Sequence, residues 1–118
     1  MERANRGRFG EEQAARYLQL RGYRILERNY RCRLGEIDLI ARRGGFLVFV
    51  EVKQRRDARF AEAREFVTAA KQGRILAAAQ CYLTQTGSRL QPRFDVIEVY
   101  GSEGERLRFE HIVDAFGA

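Results

Sequence analysis

Asp38 and the tripeptide Glu51-Val52-Lys53 stand on either side of a Gly44-Gly45 pair, 13 positions separating the two carboxylates. A two-residue hairpin loop at those glycines pairs Arg43 with Phe46. Carried outward, the same register sets Asp38 against Glu51 and Glu36 against Lys53, so all four side chains are predicted on one face of a sheet. Opposed residues have Cβ atoms roughly 4.5–5.5 Å apart, where two like charges are destabilising, more so beside a run as apolar as Phe46-Leu47-Val48-Phe49-Val50. A divalent cation between Asp38 and Glu51 would relieve that cost. Oxygen-only ligands favour magnesium or manganese over zinc or copper. One inserted bulge residue would undo this register. The alternative is a solvated acidic strand in which a lysine forms a weak surface ion pair, and Glu36 taken alone reads that way.

Lys53 is one of only two lysines, with Lys71, among 22 basic residues, the other 20 being arginines. A position needing only positive charge would here usually carry arginine. A lysine at 53 supplies a compact ammonium able to contact water or a phosphate oxygen. Other chemistries are closed off: Cys32 and Cys81 are far apart in sequence, His111 is the only histidine, and neither a zinc-ligand spacing nor a nucleophile elbow is present. His111 reads as a strand or surface residue. No phosphate-cradling glycine loop of the nucleotide-binding kinds occurs.

The elements that must position these groups follow from periodicity. Ala14, Tyr17 and Leu18 predict a first helix over about 9–21, closed by Gly22. Strands are predicted over 23–29, 36–42 and 46–53, the last apolar enough to be central. An Arg-rich loop over 54–59 precedes a longer helix over about 65–84, with Gly73 a weak point inside it and Gly87 at its exit. Strands over 93–100 and around Leu107 and Phe109 complete the order α-β-β-β-α-β-β, a mixed α/β sheet with flanking helices, as one domain over 1–118. The 45% apolar content and single proline argue for a folded chain, and no run approaches the ~20 residues of a membrane span, so a cytoplasmic protein without membrane contact is expected. The net charge of +6 favours an anionic partner, nucleic acid first, although charge of this size also occurs in proteins that bind none.

Ile37-Asp38 followed by Glu51-Val52-Lys53 resembles the PD-(D/E)xK nuclease signature, with Ile37 where the name-giving proline would stand. Gly7-x-x-Gly10-Glu11-x-x-Ala14, Gly35-Glu36-Ile37-Asp38-Leu39-Ile40 and Phe49-Val50-Glu51-Val52-Lys53 together resemble the YraN family, an uncharacterised bacterial group related to archaeal Holliday junction resolvases. The likeness extends through Lys71-Gln72-x-Arg74-Ile75 and Arg93-Phe94-Asp95-Val96 to Asp114-Ala115-Phe116, almost the whole chain. It implies a restriction-endonuclease-like fold and a metal-dependent DNA endonuclease, with branched DNA the implied substrate and a homodimer the implied assembly. Asp38 and Glu51 would ligate magnesium or manganese, the Val52 carbonyl would add a ligand, and Lys53 would orient water or stabilise charge. Glu11 would supply a further carboxylate. Read from the residues alone, Glu11 equally fits an acidic residue favoured near a helix N-terminus.

DNA would be held through its backbone by Arg6 and Arg8, placed before the first helix, and by Arg55, Arg56 and Arg59 after the third strand. Lys71 would extend that track, or lie on a solvated helix face. Two other classes stay open: a nucleic-acid-binding module that cleaves nothing, and a protein interaction domain whose arginines reflect genomic composition.

Overall fold

The computed structural model describes residues 2–55 and 67–117, with side chains from Arg8 onward. Seven elements follow the predicted order: α1 (Glu2–Leu20), β1 (Arg24–Cys32), β2 (Gly35–Arg43), β3 (Phe46–Arg55), α2 (Ala69–Thr86), β4 (Gln91–Tyr100) and β5 (Arg108–Phe116). The five strands form one sheet in the order β1-β2-β3-β4-β5, antiparallel throughout except for the parallel pair β3 and β4. Parallel neighbours need a crossover connection, and the segment containing α2 supplies it.

β3 is central, as its unbroken apolar run requires. Leu47 and Phe49 face one way, packing with Ile75, Ala78, Ala79 and Tyr82 of α2. Val48 and Val50 face the other, packing with Ala14, Ala15 and Leu18 of α1. The two helices therefore cover opposite faces of the sheet. The Arg43/Phe46 to Leu39/Val50 pairs carry the predicted hairpin register.

α1 starts at Glu2, well before the expected position. Its opening stretch, Glu2-Arg3-Ala4-Asn5-Arg6, contains no breaker, and Gly7 and Gly10 each lower helix propensity by about 1 kcal/mol without ending the helix. Arg6 and Arg8 thus lie within α1 and not ahead of it. α2 begins later than expected because Thr68 caps it: its backbone is extended and its hydroxyl accepts the Lys71 N–H at 3.2 Å. Gly87 ends α2 in the left-handed conformation, its N–H donating to the Leu83 carbonyl at 2.8 Å. The Arg-rich segment was expected from 54, but Gln54 and Arg55 belong to β3, and Arg56 and Arg59 lie outside the described residues.

Two close approaches fix the layers. The turn joining β1 to β2 rests on α2 at Gly35, where a Cβ would come within 2.6 Å of the Arg74 carbonyl oxygen. Towards the other end of the molecule, β5 bulges against β4 between the pairs Val96/Ile112 and Phe94/Phe116, leaving Asp114 at φ 54°. The N–H of Asp114, displaced from the ladder, donates to Asp95 Oδ1 at 3.0 Å. The same fully buried carboxylate accepts Arg93 Nε and Nη2 at 3.0 and 2.8 Å and lies 2.7 Å from His111 Nε2, while Arg93 Nη2 also donates to the Tyr23 hydroxyl. His111 is a strand residue, as expected, but its side chain is 9% exposed and serves this interior network.

Gly35→Ala must push the β1–β2 turn off α2 and should cost about 1–3 kcal/mol in urea unfolding, and an unchanged midpoint would show that the turn does not bear on the helix. Burial alone would raise the Asp95 pKa, but hydrogen bonds from His111, Arg93 and the Asp114 N–H outweigh it and hold the carboxyl below its ordinary value. A depressed folded-state pKa contributes stability that is present above the unfolded value and lost as pH falls through the folded one. Asp95→Asn should therefore lower stability at neutral pH and flatten the loss on acidification, measured as Tm from pH 7 down to about 2.

Candidate active site

The β2–β3 ladder stops at Leu39/Val50, although both strands continue. Beyond that point β2 stays with β1 as far as Gly35/Cys32, and β3 stays with β4 as far as Arg55/Tyr100. The sheet forks there. The N–H of Val52, turned towards the gap, is satisfied by a side chain: Asp38 Oδ2 accepts it at 2.8 Å. Asp38 and Glu51 are thus not ladder partners, as the extrapolated register had them, but they meet across the fork and share a side-chain hydrogen bond. The alternation of β2 slips at this residue, since Ile37 packs on the α2 side and Leu39 on the α1 side. Glu36 departs from the expected arrangement too: it is exposed and forms its surface ion pair with Arg31 of β1 at 3.4 Å, where a lysine was the expected partner.

Each helix layer adds one side chain to the fork. Gly10 of α1 is buried against β3, where a Cβ would stand 3.1 Å from Gln54 Oε1 and 3.7 Å from Val52 Cγ1. That approach brings the next residue, Glu11, to the site, close enough to Asp38 and Asn29 for both side chains to act on its carboxyl. Asn29 itself has a left-handed backbone, φ 53°, on β1 between the residues paired with Leu39 and Ile37. From the opposite face, the first turn of α2 delivers Lys71, whose ammonium forms an ion pair with Glu51.

Burial and crowding govern the charges. Desolvation first, then the negative charge of Glu51, drives the Asp38 pKa up to about 8 despite the Val52 N–H. Desolvation raises Glu11 as well, opposed by its hydrogen bonds to Asn29 and Asp38 and assisted by the charges of Glu36 and Glu51. For Lys71, burial would lower the pKa, but the hydrogen bond and charge of Glu51 prevail and raise it. Glu51 is 5% exposed. Three carboxylates therefore converge at the fork, one of them buried and paired with a half-exposed ammonium.

The model of the uncharacterised protein family UPF0102 matches residues 10–99. The chain belongs to that family. It is 53% identical over 113 residues to the UPF0102 protein of Symbiobacterium thermophilum, covering 95% of this chain and 96% of the relative. It is also 48% identical over 116 residues to that of Syntrophotalea carbinolica, covering 98% and 94% of the two chains. The UPF0102 match takes in the whole fork, from Gly10 on α1 to β4, and the YraN resemblance of the motifs is to this same family.

Of the residues named from the sequence, Glu11, Asp38, Glu51 and Val52 meet at the fork, and Lys53 lies two residues beyond Glu51, beside Glu98 in the β3–β4 register. Val52 takes part through its N–H. Lys71 belongs to the carboxylate cluster itself. Arg55 is held by buried Glu98, Nε to Oε2 at 2.9 Å, and Arg8 is exposed on α1, while the side chains of Arg6, Arg56 and Arg59 lie outside those described. Sequence reasoning missed Asn29, whose only local signal is that asparagine tolerates a left-handed backbone inside a strand. Lys71 was expected to extend the basic track, but the cleft beside the fork where Arg31, Arg33, Glu36 and Arg74 join it was not, because these residues come from β1, its turn, the start of β2 and α2.

Among the described residues no group of three or more His, Cys, Asp or Glu side chains could hold a metal ion unaided. Two carboxylates suffice for magnesium, which is ordinarily bound by one or two, the remaining positions going to water, main-chain oxygen and substrate phosphate. The desolvated like charges of Asp38 and Glu51 suit such a cation.

Without one, the site stores unfavourable charge. A raised folded-state pKa gives stability that is complete below the ordinary value of 3.8 and is lost as pH climbs through about 8. Asn at 38 keeps an oxygen for the Val52 N–H while removing the titration. In chelator, Asp38→Asn should gain Tm relative to wild type between pH 5 and 8.5, and parallel profiles would refute this electrostatic account.

Proposed function

We propose that this protein is a metal-dependent DNA endonuclease with a restriction-endonuclease-like fold that hydrolyses phosphodiester bonds, acting on branched DNA. The observation that carries this reading is the convergence of Glu11, Asp38 and Glu51 with Lys71 at the point where β2 and β3 part, with Lys53 two residues further along β3. Asp38 and Glu51 would hold magnesium or manganese, joined by the Val52 carbonyl. When bound, the cation supplies Lewis-acid stabilisation of phosphate charge and eases the deprotonation of water.

The chain's own groups do the rest. Asp38 is fixed by the Val52 N–H, so its free oxygen is presented without rotamer freedom. Glu11, tied to Asp38 and Asn29, orients that carboxylate and holds a proton more readily than an exposed glutamate. Lys71 neutralises Glu51 before substrate arrives, and as a compact ammonium it can turn to a phosphate oxygen. Lys53 offers a second ammonium to the negative charge that grows on the phosphate oxygens.

Substrate would approach along the cleft of Arg31, Arg33, Lys71 and Arg74, with Arg6, Arg8, Arg56 and Arg59 as further backbone contacts. Contacts to phosphate fix position without reading sequence, which favours recognition of DNA shape. A second copy of the chain would match the two-fold character of a junction.

The test incubates the protein with branched, flapped, single-stranded and duplex DNA in Mg²⁺ or Mn²⁺ over a salt series. Cleavage should require metal and fall by roughly 10²-fold or more in Glu51→Ala, Lys53→Ala and Lys71→Ala. Binding that weakens with salt but never leads to cleavage would identify a non-catalytic nucleic-acid module instead. Absence of binding at every salt concentration would leave an interaction domain.

A further inference from the structure

β1 runs along α2 in a fixed register. The Tyr30 hydroxyl donates to Gln85 Oε1 at 2.8 Å, and its ring meets Tyr82 edge-on at 5.2 Å between centroids. Just past the turn that follows β1, Gly35 at the start of β2 lies against the backbone of Arg74. Between these anchors the same packing brings Cys32 of β1 to the part of α2 that carries Cys81, the residue before Tyr82. Both cysteines are free and only partly buried, and Leu34 of the intervening turn lines a shallow apolar groove with Ala77 and Cys81. Nothing in the proposed hydrolysis uses either thiol.

We infer that Cys32 and Cys81 are a redox pair that closes reversibly to an intramolecular disulfide, stapling the β1–β2 turn to α2. The surroundings of the two thiols differ. The backbone N–H groups of Leu34 and Gly35, together with Cys81, hold the Cys32 thiol below its ordinary range, the Leu34 contact contributing most. The Cys81 thiol is raised, first by its contact with Cys32 and then by burial. Cys32 is the nucleophile and Cys81 the resolving thiol.

The oxidant is a hydroperoxide. The Cys32 thiolate attacks the terminal peroxide oxygen, the O–O bond breaks, and with hydrogen peroxide the departing hydroxide takes up a proton as water, leaving a sulfenic acid. Cys81 sulfur then attacks the Cys32 sulfur, the S–S bond forms, and the S–O bond breaks with loss of a second water that carries the Cys81 proton. Two thiols are oxidised and one peroxide is reduced. Thiol–disulfide exchange with a small dithiol reverses the step.

Hydrogen peroxide at one to a few equivalents, followed by intact-mass measurement and thiol titration, tests this on the wild-type chain. The expected product is a monomer about 2 Da lighter with both thiols lost, restored by dithiothreitol, and with Tm raised by roughly 5–15 °C through closure of the long loop between the cysteines. Cys32→Ser and Cys81→Ser should give no cyclised monomer, and Cys81→Ser should accumulate the sulfenic acid, trapped by dimedone. Retention of two thiols, a disulfide-linked dimer, or direct conversion to sulfinic and sulfonic acids without the lighter species would overturn the pairing.

Discussion

The hydrogen bond from the Val52 N–H to the Asp38 carboxylate is the contact on which the candidate site depends. A sheet cannot leave a buried N–H unpaired without losing about 1–3 kcal/mol, and β3 loses its β2 partner after Val50. A side chain on β2 completes the ladder in place of the backbone. That substitution keeps the fork open and commits one Asp38 oxygen to structure. It also forces the second oxygen to lie beside Glu51, so sheet geometry and the crowding of charge have one cause.

The rest of the site answers that crowding. Two unit charges about 4 Å apart interact by about 4 kcal/mol at an effective dielectric constant of 20, comparable with the whole benefit of several ordinary contacts. Asp38 responds by holding its proton far above the usual range. Glu51 responds by taking Lys71 from across the α2 interface. Lys71 pairs with only one of the three carboxylates, and Asp38 and Glu11 meet the crowding by holding their protons more tightly. Gly10 and Thr68 belong to the same design at a distance, the first because α1 must approach β3 closely, the second because it starts α2 where Lys71 reaches the fork.

The elements were legible in the sequence wherever the information is local. Gly44-Gly45 set the hairpin and its register as far as Leu39/Val50, and the apolar run of β3 announced a strand buried on both faces. The fork was not legible, because it depends on which neighbour each strand keeps, β1 for β2 and β4 for β3, and no periodicity within the hairpin encodes that choice. Lys71 was hidden for a similar reason: its helical spacing to Arg74 describes a surface face equally well, and only packing of α2 on the sheet turns it towards Glu51. His111 looked like an ordinary strand residue because its contact with buried Asp95 across the β4–β5 ladder leaves no trace in the alternation of apolar residues.

Net charge was the least specific guide, and the placement of the basic residues explains why. Several arginines are occupied by the fold: Arg93 serves buried Asp95, Arg55 serves buried Glu98, and the guanidinium groups of Arg21 and Arg108 lie 3.7 and 4.2 Å from the ring centroids of Tyr17 and Tyr100. A planar, weakly hydrated guanidinium suits each of these settings, stacking on rings and bridging carboxylates inside the protein. The lysines are used differently. Lys71 enters the carboxylate cluster and Lys53 follows Glu51 by one full strand repeat, so both compact ammonium groups lie at or next to the fork. In a chain with 20 arginines, the two lysines thus stand together at or next to one carboxylate cluster.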